Sequence, residues 1–227
     1  MKYASMLSRK QSGFTLVEIA IVLVIIGLLL GGVLKGQEMI ENARIKAVVA
    51  DIAGVSAAVN TYNDRHRAFP GDELPATMTA RGWPGTAGGN GNGVYEVVAL
   101  ATFTNLTEQA GLWRALRASG LTAGDPASPT GAASLPRTGT GGLIGVSRLA
   151  YGLTGPTICI SGLTAKQAAG IDAAIDGTVA ATSFGNNLGT VRGDTGLINP
   201  LPPAAGVPTG KAFDENVTTA WTMCRAL

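Results

Sequence analysis

The chain has 227 residues, enough for one ordinary domain with a membrane segment or for two small domains. Its 17 lysines and arginines face 15 acids, which gives a formal net charge of +2 with the single histidine neutral. This balance does not indicate a nucleic-acid-binding protein, and the absence of any nucleophile–base, metalloprotease or phosphate-loop motif argues against an enzyme.

Residues 1–13 are short, polar and basic. Lys2, Arg9 and Lys10 lie here without an acid, so the rest of the chain carries 14 basic against 15 acidic side chains. By the positive-inside rule, such a segment stays in the cytoplasm while the following part crosses the membrane. It lacks the small-residue cleavage signal of an ordinary secretory peptide. The basic excess is therefore a property of the N-terminus alone.

Residues 14–34 form an apolar run of the length needed to span a bilayer. Its one charged side chain is Glu18. An ionised carboxylate in hydrocarbon costs roughly 2.5 kcal/mol or more, so Glu18 is expected to be functional and to need a partner. A cut after Gly13 would create a suitable partner, the α-amino group of Phe14, one helical turn away.

Four glycines interrupt the second part of this run. Gly27 with Gly31, and Gly32 with Gly36, stand at the GxxxG spacing that lets helices approach closely in a membrane. Each glycine also weakens the helix by roughly 1 kcal/mol relative to alanine. We expect a locally loosened helix around Gly31 and Gly32.

Residues 37–67 continue as an amphipathic helix, and no proline occurs between Phe14 and Phe69. Apolar residues recur at three- and four-residue steps. This stripe comprises Ile40, Ala43 or Arg44, Ala47 or Val48, Ile52, Val55, Val59 and Tyr62. A helix that is apolar all round and then apolar on one stripe suits a membrane segment followed by a part that supports a globular head. A free-standing coiled coil is the alternative, although the stripe is not a clean heptad.

The remainder, residues 68–227, predicts a globular head. Phe69–Asp72 stops the helix, and a glycine-rich loop runs on to Gly93. A short helix is expected from Asn105 to Ser119, with Asn105 or Thr107 as its cap, and an exposed loop from Asp125 to Gly142.

The second part of the head predicts an antiparallel sheet. Strands are expected at 146–152, 157–160 and 217–223, a hairpin at 179–192 and a proline-rich surface loop at 199–208. Thr164 and Gln167 form a capping box that opens a helix through Ile175. The fold class is therefore α+β, a long N-terminal helix packed on an antiparallel head with short helices.

The segment Gly13-Phe14-Thr15-Leu16-Val17-Glu18, preceded by Arg9-Lys10 and followed by the apolar helix, resembles the class III signal of type IV pilins and type II secretion pseudopilins. The resemblance implies cleavage between Gly13 and Phe14 by a prepilin peptidase, which then N-methylates Phe14. It also implies that Glu18 pairs with the N-terminus of a neighbouring subunit during assembly. A plain signal anchor with a stray acid is the alternative.

The same resemblance implies an organisation and a location. Residues 1–13 would be the cleaved leader, 14–67 the long helix with 14–34 as transmembrane segment and filament core, and 68–227 a pilin-like head. The precursor would lie in the inner membrane with its N-terminus cytoplasmic and its head periplasmic. The mature subunit would belong to an extracellular pilus or a periplasmic pseudopilus.

The implied function is that of a structural subunit of a type IV pilus-like filament. Its partners would be other copies of the chain in a homopolymer or mixed filament, the prepilin peptidase, the membrane, and an inner-membrane assembly platform with its ATPase. Two alternatives stay open: a pseudopilin in a periplasmic secretion piston, and a minor or tip pilin with a ligand-binding head.

The two cysteines, Cys159 and Cys224, would lie in the oxidising environment outside the inner membrane, where a disulfide is the default. Closing so long a loop could contribute roughly 4 kcal/mol. Two free buried thiols are the alternative.

The remaining candidate sites are weaker. Asn90 and Asn92 alternate with glycine, and Asp72 or Glu96 could add charge to make a calcium site. Neutral amides are poor ligands, so a glycine-rich turn is favoured, and no other cofactor is expected.

Three further groups of residues carry minor expectations. Asp172 and Asp176 share a helix face and are expected to be solvated, as is His66. Sequons occur at Asn105 and Asn216.

Overall fold

The computed structural model describes residues 13–84, 87–104, 107–127, 134–177, 189–208, 213 and 217–227. The chain divides into two compact units, Met1–Glu41 and Asn42–Leu227. Helix α1 (Leu16–His66) continues through the boundary between them. The basic residues before Gly13, the sequon asparagines and most of the predicted 179–192 hairpin lie outside the described residues.

Helix α1 is one uninterrupted element of 51 residues, as the sequence predicts. It runs through Gly31 and Gly32 without a break, so the loosening expected there is wrong. Helix propagation adds one hydrogen bond per residue, and the apolar residues on both sides are good enough helix formers to offset two glycines. The helix ends where Arg67 adopts a left-handed φ of 56°, three residues before Pro70.

The two parts of α1 differ in burial. In the first unit every large apolar side chain of the helix is exposed. In the second unit one stripe is buried: Ile45, Val48, Ile52, Val55, Ala58, Val59 and Tyr62. The predicted stripe is confirmed from Val48 onward, whereas Ile40 is exposed and Ile45 takes its place as the first buried residue.

The sheet of the second unit has four antiparallel strands in the order β1-β2-β4-β3. They are β1 (Ile144–Arg148), β2 (Pro156–Leu163), β3 (Val191–Gly196) and β4 (Ala220–Ala226). The predicted α+β class with an antiparallel sheet is confirmed. The first predicted strand ends early because Leu149 and Tyr151 adopt left-handed φ values of 60° and 52° within a short 3-10 turn, Ala150–Gly152.

Three short helices accompany the sheet: α2 (Pro75–Ala80), α3 (Thr107–Ala118) and α4 (Ala165–Ile175), with a 3-10 turn at Ala99–Ala101. The capping box at the start of α4 is confirmed by both of its bonds. Helix α2 was not expected, since its residues fall in the predicted loop. Pro75 occupies a first-turn position, where its missing N–H costs nothing.

One hydrophobic core joins the α1 stripe, α3, the sheet and α4. Its largest side chains include Trp113, Trp221, Tyr62 and Phe213. The loop predicted as exposed from Asp125 to Gly142 contributes Leu135, which is buried with Thr138. The expectation of an exposed loop was wrong for the last residues of this segment. The backbones of Arg137 and Leu143 form an isolated antiparallel β-bridge, which holds the turn against the sheet.

Candidate processing and assembly site

The start of α1 is organised by Thr15 and Glu18. Thr15 donates to Oε2 of Glu18 through its backbone N–H and through its hydroxyl, both at 2.8 Å. The Glu18 N–H donates in return to Thr15 Oγ1 at 3.3 Å. This reciprocal pair is a capping box, which satisfies backbone donors that the first helical turn leaves without partners.

The capping box adds a residue that the sequence reasoning missed. Glu18 was predicted from its charge in the apolar run and from the resemblance to the class III signal, whereas the Ser/Thr-x-x-Glu spacing from Thr15 also marks a helix start. The carboxylate therefore lies at the positive end of the helix dipole, where a negative charge is favoured. In the intact chain Phe14 is joined to Gly13, and the residue is 83% exposed just before this turn.

The apolar residues after Glu18 cover the whole circumference of the helix. A shallow apolar groove follows one face, lined by Val17, Ala20, Ile21, Val24 and Ile25. By length and composition alone, α1 is long and apolar enough to cross a membrane. Nothing in the first unit covers this surface among its described residues.

The C-terminal end of α1 meets a buried polar cluster that the sequence did not predict. Arg81 donates to both carboxylate oxygens of Glu73 at 2.7 Å, and Tyr62 donates its hydroxyl to the same carboxylate. Burial raises the pKa of Glu73, but the hydrogen bonds from Arg81 and Tyr62 outweigh it and hold the pKa below its ordinary value. This cluster ties the last turns of α1 to the start of the head.

His66 belongs to the same region and is half-buried, so the expected solvated surface position is only partly right. Its ring lies 4.4 Å from Tyr62 and 5.4 Å from Trp83, centroid to centroid. Arg81 lies over the Trp83 ring at 5.1 Å. Burial and the nearby Arg81 charge lower the pKa of His66, and the helix end gave no periodic signal for this contact.

The predicted calcium residues do lie in one loop cluster. The side-chain nitrogens of Asn90 and Asn92 donate to Glu96 at 3.1 and 2.8 Å, while Asp72 accepts from the Gly93 N–H at 2.8 Å. The amide oxygens of Asn90 and Asn92 accept backbone N–H bonds within the turn. This pattern is that of the glycine-rich turn, and the described residues contain no group of three or more His, Cys, Asp or Glu side chains able to hold a metal.

Glu108 is a second buried carboxylate, on α3, and it accepts the Glu96 N–H. Burial raises the pKa of Glu108, the Glu96 N–H bond lowers it, and the charges of Asp72 and Glu96 raise it further. The net pKa lies above the ordinary value. Glu108 therefore differs from Glu73, whose carboxylate is paired with a guanidinium.

Cys159 and Cys224 form the predicted disulfide. They face each other across β2 and β4 with Cα atoms 4.0 Å apart. The bond fastens the last strand, close to the C-terminus, to the middle of the sheet.

Asp172 of α4 and Asp176, the residue that caps its C-terminal end, have separate roles. Asp172 is buried, contrary to the expectation that it is solvated, because its helix face packs on the head. Asp176 accepts the Val191 N–H at 2.8 Å and the Thr190 hydroxyl, which links the end of α4 to β3.

Comparison with known proteins identifies the N-terminal segment. Residues 8–34 match the family model described as the prokaryotic N-terminal methylation motif. This motif is the class III prepilin signal of type IV pilins and pseudopilins. No curated protein and no solved structure matches the chain. The motif supports a precursor of the type IV pilin family, and together with the apolar N-terminal helix it is consistent with a membrane-anchored precursor.

Proposed function

We propose that the chain is the precursor of a structural subunit of a type IV pilus-like filament. A prepilin peptidase would cut between Gly13 and Phe14, and Phe14 would then be N-methylated. The observation that carries the proposal is the methylation motif followed by an apolar helix whose only charged side chain from Phe14 to Leu34 is Glu18.

Assembly would replace lipid by neighbouring helices around residues 14–34. Packing of apolar side chains stabilises such a bundle but leaves its axial register open, since apolar contacts are non-directional. A charge pair between Glu18 of one subunit and the Phe14 amine of another would specify the register. The capping box is compatible with this, because only Oε2 of Glu18 is used by Thr15.

The test separates the charge of Glu18 from its capping bond. Glu18→Gln keeps an acceptor for Thr15 and removes the negative charge. We expect Glu18→Gln to be processed to mature length while filament yield falls by about tenfold or more, the scale of one lost charge pair in a non-aqueous site. Mature length is read by intact-mass measurement and filament yield by quantifying sheared or purified filaments.

Glu38→Gln is the matched control, because Glu38 lies on the same helix beyond the apolar run and forms an exposed pair with Lys35 at 3.1 Å. It should be processed and assembled as the unchanged chain is. Normal filaments from Glu18→Gln would refute the pairing, and failed processing of that variant would place its role at the peptidase instead.

The peptidase step has its own test at Gly13. The enzyme must approach the scissile backbone closely, and a side chain at Gly13 would obstruct it. We expect Gly13→Val to accumulate at precursor length in the membrane. Mature protein from that variant would contradict the proposed cleavage site.

A further inference from the structure

The second unit has a polar cavity of about 300 Å³. Its lining residues lie between Arg137 and Pro200, far along the chain from the apolar segment of α1. Three stretches of chain line it: the turn from Arg137 to Leu143, the pair Ser161-Gly162 on β2, and Asn199-Pro200 after β3. The cavity lies at the low end of the size range typical of small-ligand sites.

The first wall is a tightly bonded turn. Thr138 donates its N–H to Gly142 O at 2.9 Å, and Arg137 forms an isolated antiparallel β-bridge with Leu143. A Cβ at Gly142 would fall 1.9 Å from Ser161 O, so only glycine permits this approach of the turn to β2. The backbone N–H of Gly139 also donates to the Asp51 carboxylate, which ties the turn to α1.

The second wall is an irregularity in the sheet. The pairing register between β2 and β4 shifts between Ile160 and Leu163, and Gly162 has a left-handed φ of 72°. Such bulges redirect side chains and often border binding sites. The Asn199 amide lies beside Gly162, within about 3.6 Å of the position a Cβ would take there.

The lining is rich in hydrogen-bond donors and contains one positively charged side chain, Arg137. Arg137 gives one N–H to Gly141 O at 2.9 Å, out of the five that a guanidinium carries. Thr140 adds a hydroxyl, which shares a hydrogen bond with the Thr138 hydroxyl at 2.7 Å and keeps further capacity, and Asn199 adds an amide. None of the described residues that line the cavity is acidic. A guanidinium fork matches the two oxygens of a carboxylate, so the cavity suits an anionic and hydroxylated ligand.

We propose that this cavity binds a carboxylated sugar, a uronic acid, with its carboxylate on Arg137 and its hydroxyls on Thr140 and Asn199. The mainly polar lining favours a hydroxylated ligand over an apolar one, and the size fits one sugar ring rather than a folded partner. The inference concerns the head alone and does not depend on filament assembly.

The experiment uses the full-length chain in detergent and titrates it calorimetrically with D-glucuronate, methyl β-D-glucuronide and D-glucose. Glucose has the same ring without the carboxylate. We expect both glucuronates to bind about tenfold or more tightly than glucose, as one charge-assisted bidentate contact implies. Binding of the methyl glycoside indicates a residue within a polysaccharide, whereas binding of free glucuronate alone indicates the free sugar acid.

Two arginine variants localise the site. Arg137→Gln should weaken glucuronate binding by about tenfold or more and remove the preference over glucose. Arg148→Gln is the control, because Arg148 is exposed at the end of β1 and does not line the cavity. Equal near-ultraviolet circular dichroism of the variants confirms that the head is folded in each.

Four results would overturn the proposal. They are no glucuronate binding at concentrations up to about 20 mM, equal binding of glucose, unchanged affinity in Arg137→Gln, and tighter binding of an acetylated dipeptide, which would assign the cavity to a peptide C-terminus.

Discussion

The two parts of α1 share one backbone geometry and differ in what surrounds them. Before Asn42 the large apolar side chains are all exposed, whereas from Ile45 to Tyr62 one stripe is buried in the core of the second unit. An exposed apolar surface of this extent marks contact with lipid or protein. The difference therefore separates a part of the helix that the chain itself packs from a part that needs something outside the chain.

The largest expected difference comes from removing one acidic side chain that contacts each part: Glu73, which bonds to Tyr62 of the buried stripe, and Glu38 in the exposed part. Glu73→Ala leaves the Arg81 guanidinium and the Tyr62 hydroxyl without their carboxylate at the end of the buried stripe. We expect a loss of about 3 kcal/mol in the free energy of unfolding of the second unit, the usual cost of a broken, largely buried pair. Glu38→Ala removes the exposed pair with Lys35 and should cost less than about 0.5 kcal/mol.

The readout can be confined to one unit. All three tryptophans, Trp83, Trp113 and Trp221, lie in Asn42–Leu227, so their fluorescence during urea unfolding in detergent reports that unit alone. Equal losses from the two glutamate variants would show that the Arg81 cluster does not hold the end of α1.

The same substitution in the two parts of the helix gives the second test. Val48 is fully buried, and Val48→Ala should destabilise the second unit by about 2 kcal/mol through lost burial and the cavity left behind. Val22 is half exposed in the apolar run, so Val22→Ala should leave the tryptophan-detected unfolding unchanged. A comparable loss from Val22→Ala would mean that the two units are energetically coupled.

The sequence predicted the features that depend on the spacing of apolar side chains and on helix-capping residues. The apolar run and the stripe from Val48 to Tyr62 follow from side-chain spacing, and the α4 capping box follows from Thr164 and Gln167. The Arg81 cluster could not be predicted, since Tyr62, Glu73 and Arg81 are brought together by a turn whose path no local pattern encodes. The burial of Asp172 and the partial burial of His66 were not predicted for the same reason, because the burial of a polar residue depends on contacts that are distant in sequence.

The candidate site at the start of α1 could be proposed from the sequence because its residues are neighbours in the chain. Gly13, Phe14 and Glu18 remain predictions, and the structure adds the bond from Thr15 to Glu18. The cavity at Arg137 is the opposite case. Its lining comes from three stretches that are distant in sequence: the 137–143 turn, the bulge at Gly162, and Asn199. The turn was expected to be part of an exposed loop.

The pH dependence of stability should differ between two buried carboxylates of the second unit: Glu73, which is paired with a guanidinium, and Glu108, which is not paired with a cation in the described residues. The folded pKa of Glu73 lies below its ordinary value of 4.5, so its stabilisation is present above that value and is lost as pH falls through the folded pKa. Glu108 has a raised pKa, so its ionised carboxylate destabilises the folded state at neutral pH. This destabilisation disappears as pH falls below the ordinary pKa of 4.5.

We therefore expect opposite effects from two amide variants. At about pH 7, Glu73→Gln should lower the free energy of unfolding and Glu108→Gln should raise it, because each removes one of these charge effects. Between about pH 7 and pH 3, Glu73→Gln should lose less stability than the unchanged chain does. Urea unfolding across this range checks both, and a lower stability of Glu108→Gln at neutral pH would contradict the assignment.

The smallest expected effect distinguishes two glycines of α1 that look alike in the isolated chain. A Cβ at Gly31 or at Gly54 would meet no atom within 4 Å outside the helix's own nearby backbone. Alanine should therefore favour the helix at both positions by about 0.8 kcal/mol. Gly54→Ala should show this gain in the tryptophan-detected unfolding, since Gly54 lies in the second unit.

Gly31 lies in the part of α1 that needs an outside partner, at GxxxG spacing from Gly27. If helices of a filament approach closely there, the methyl group of Gly31→Ala separates them, and filament yield falls although the helix itself is favoured. Gly54→Ala should assemble normally. Normal filament yield from Gly31→Ala would show that close helix approach lies elsewhere on the apolar run, because the substitution has no other cost in the isolated chain.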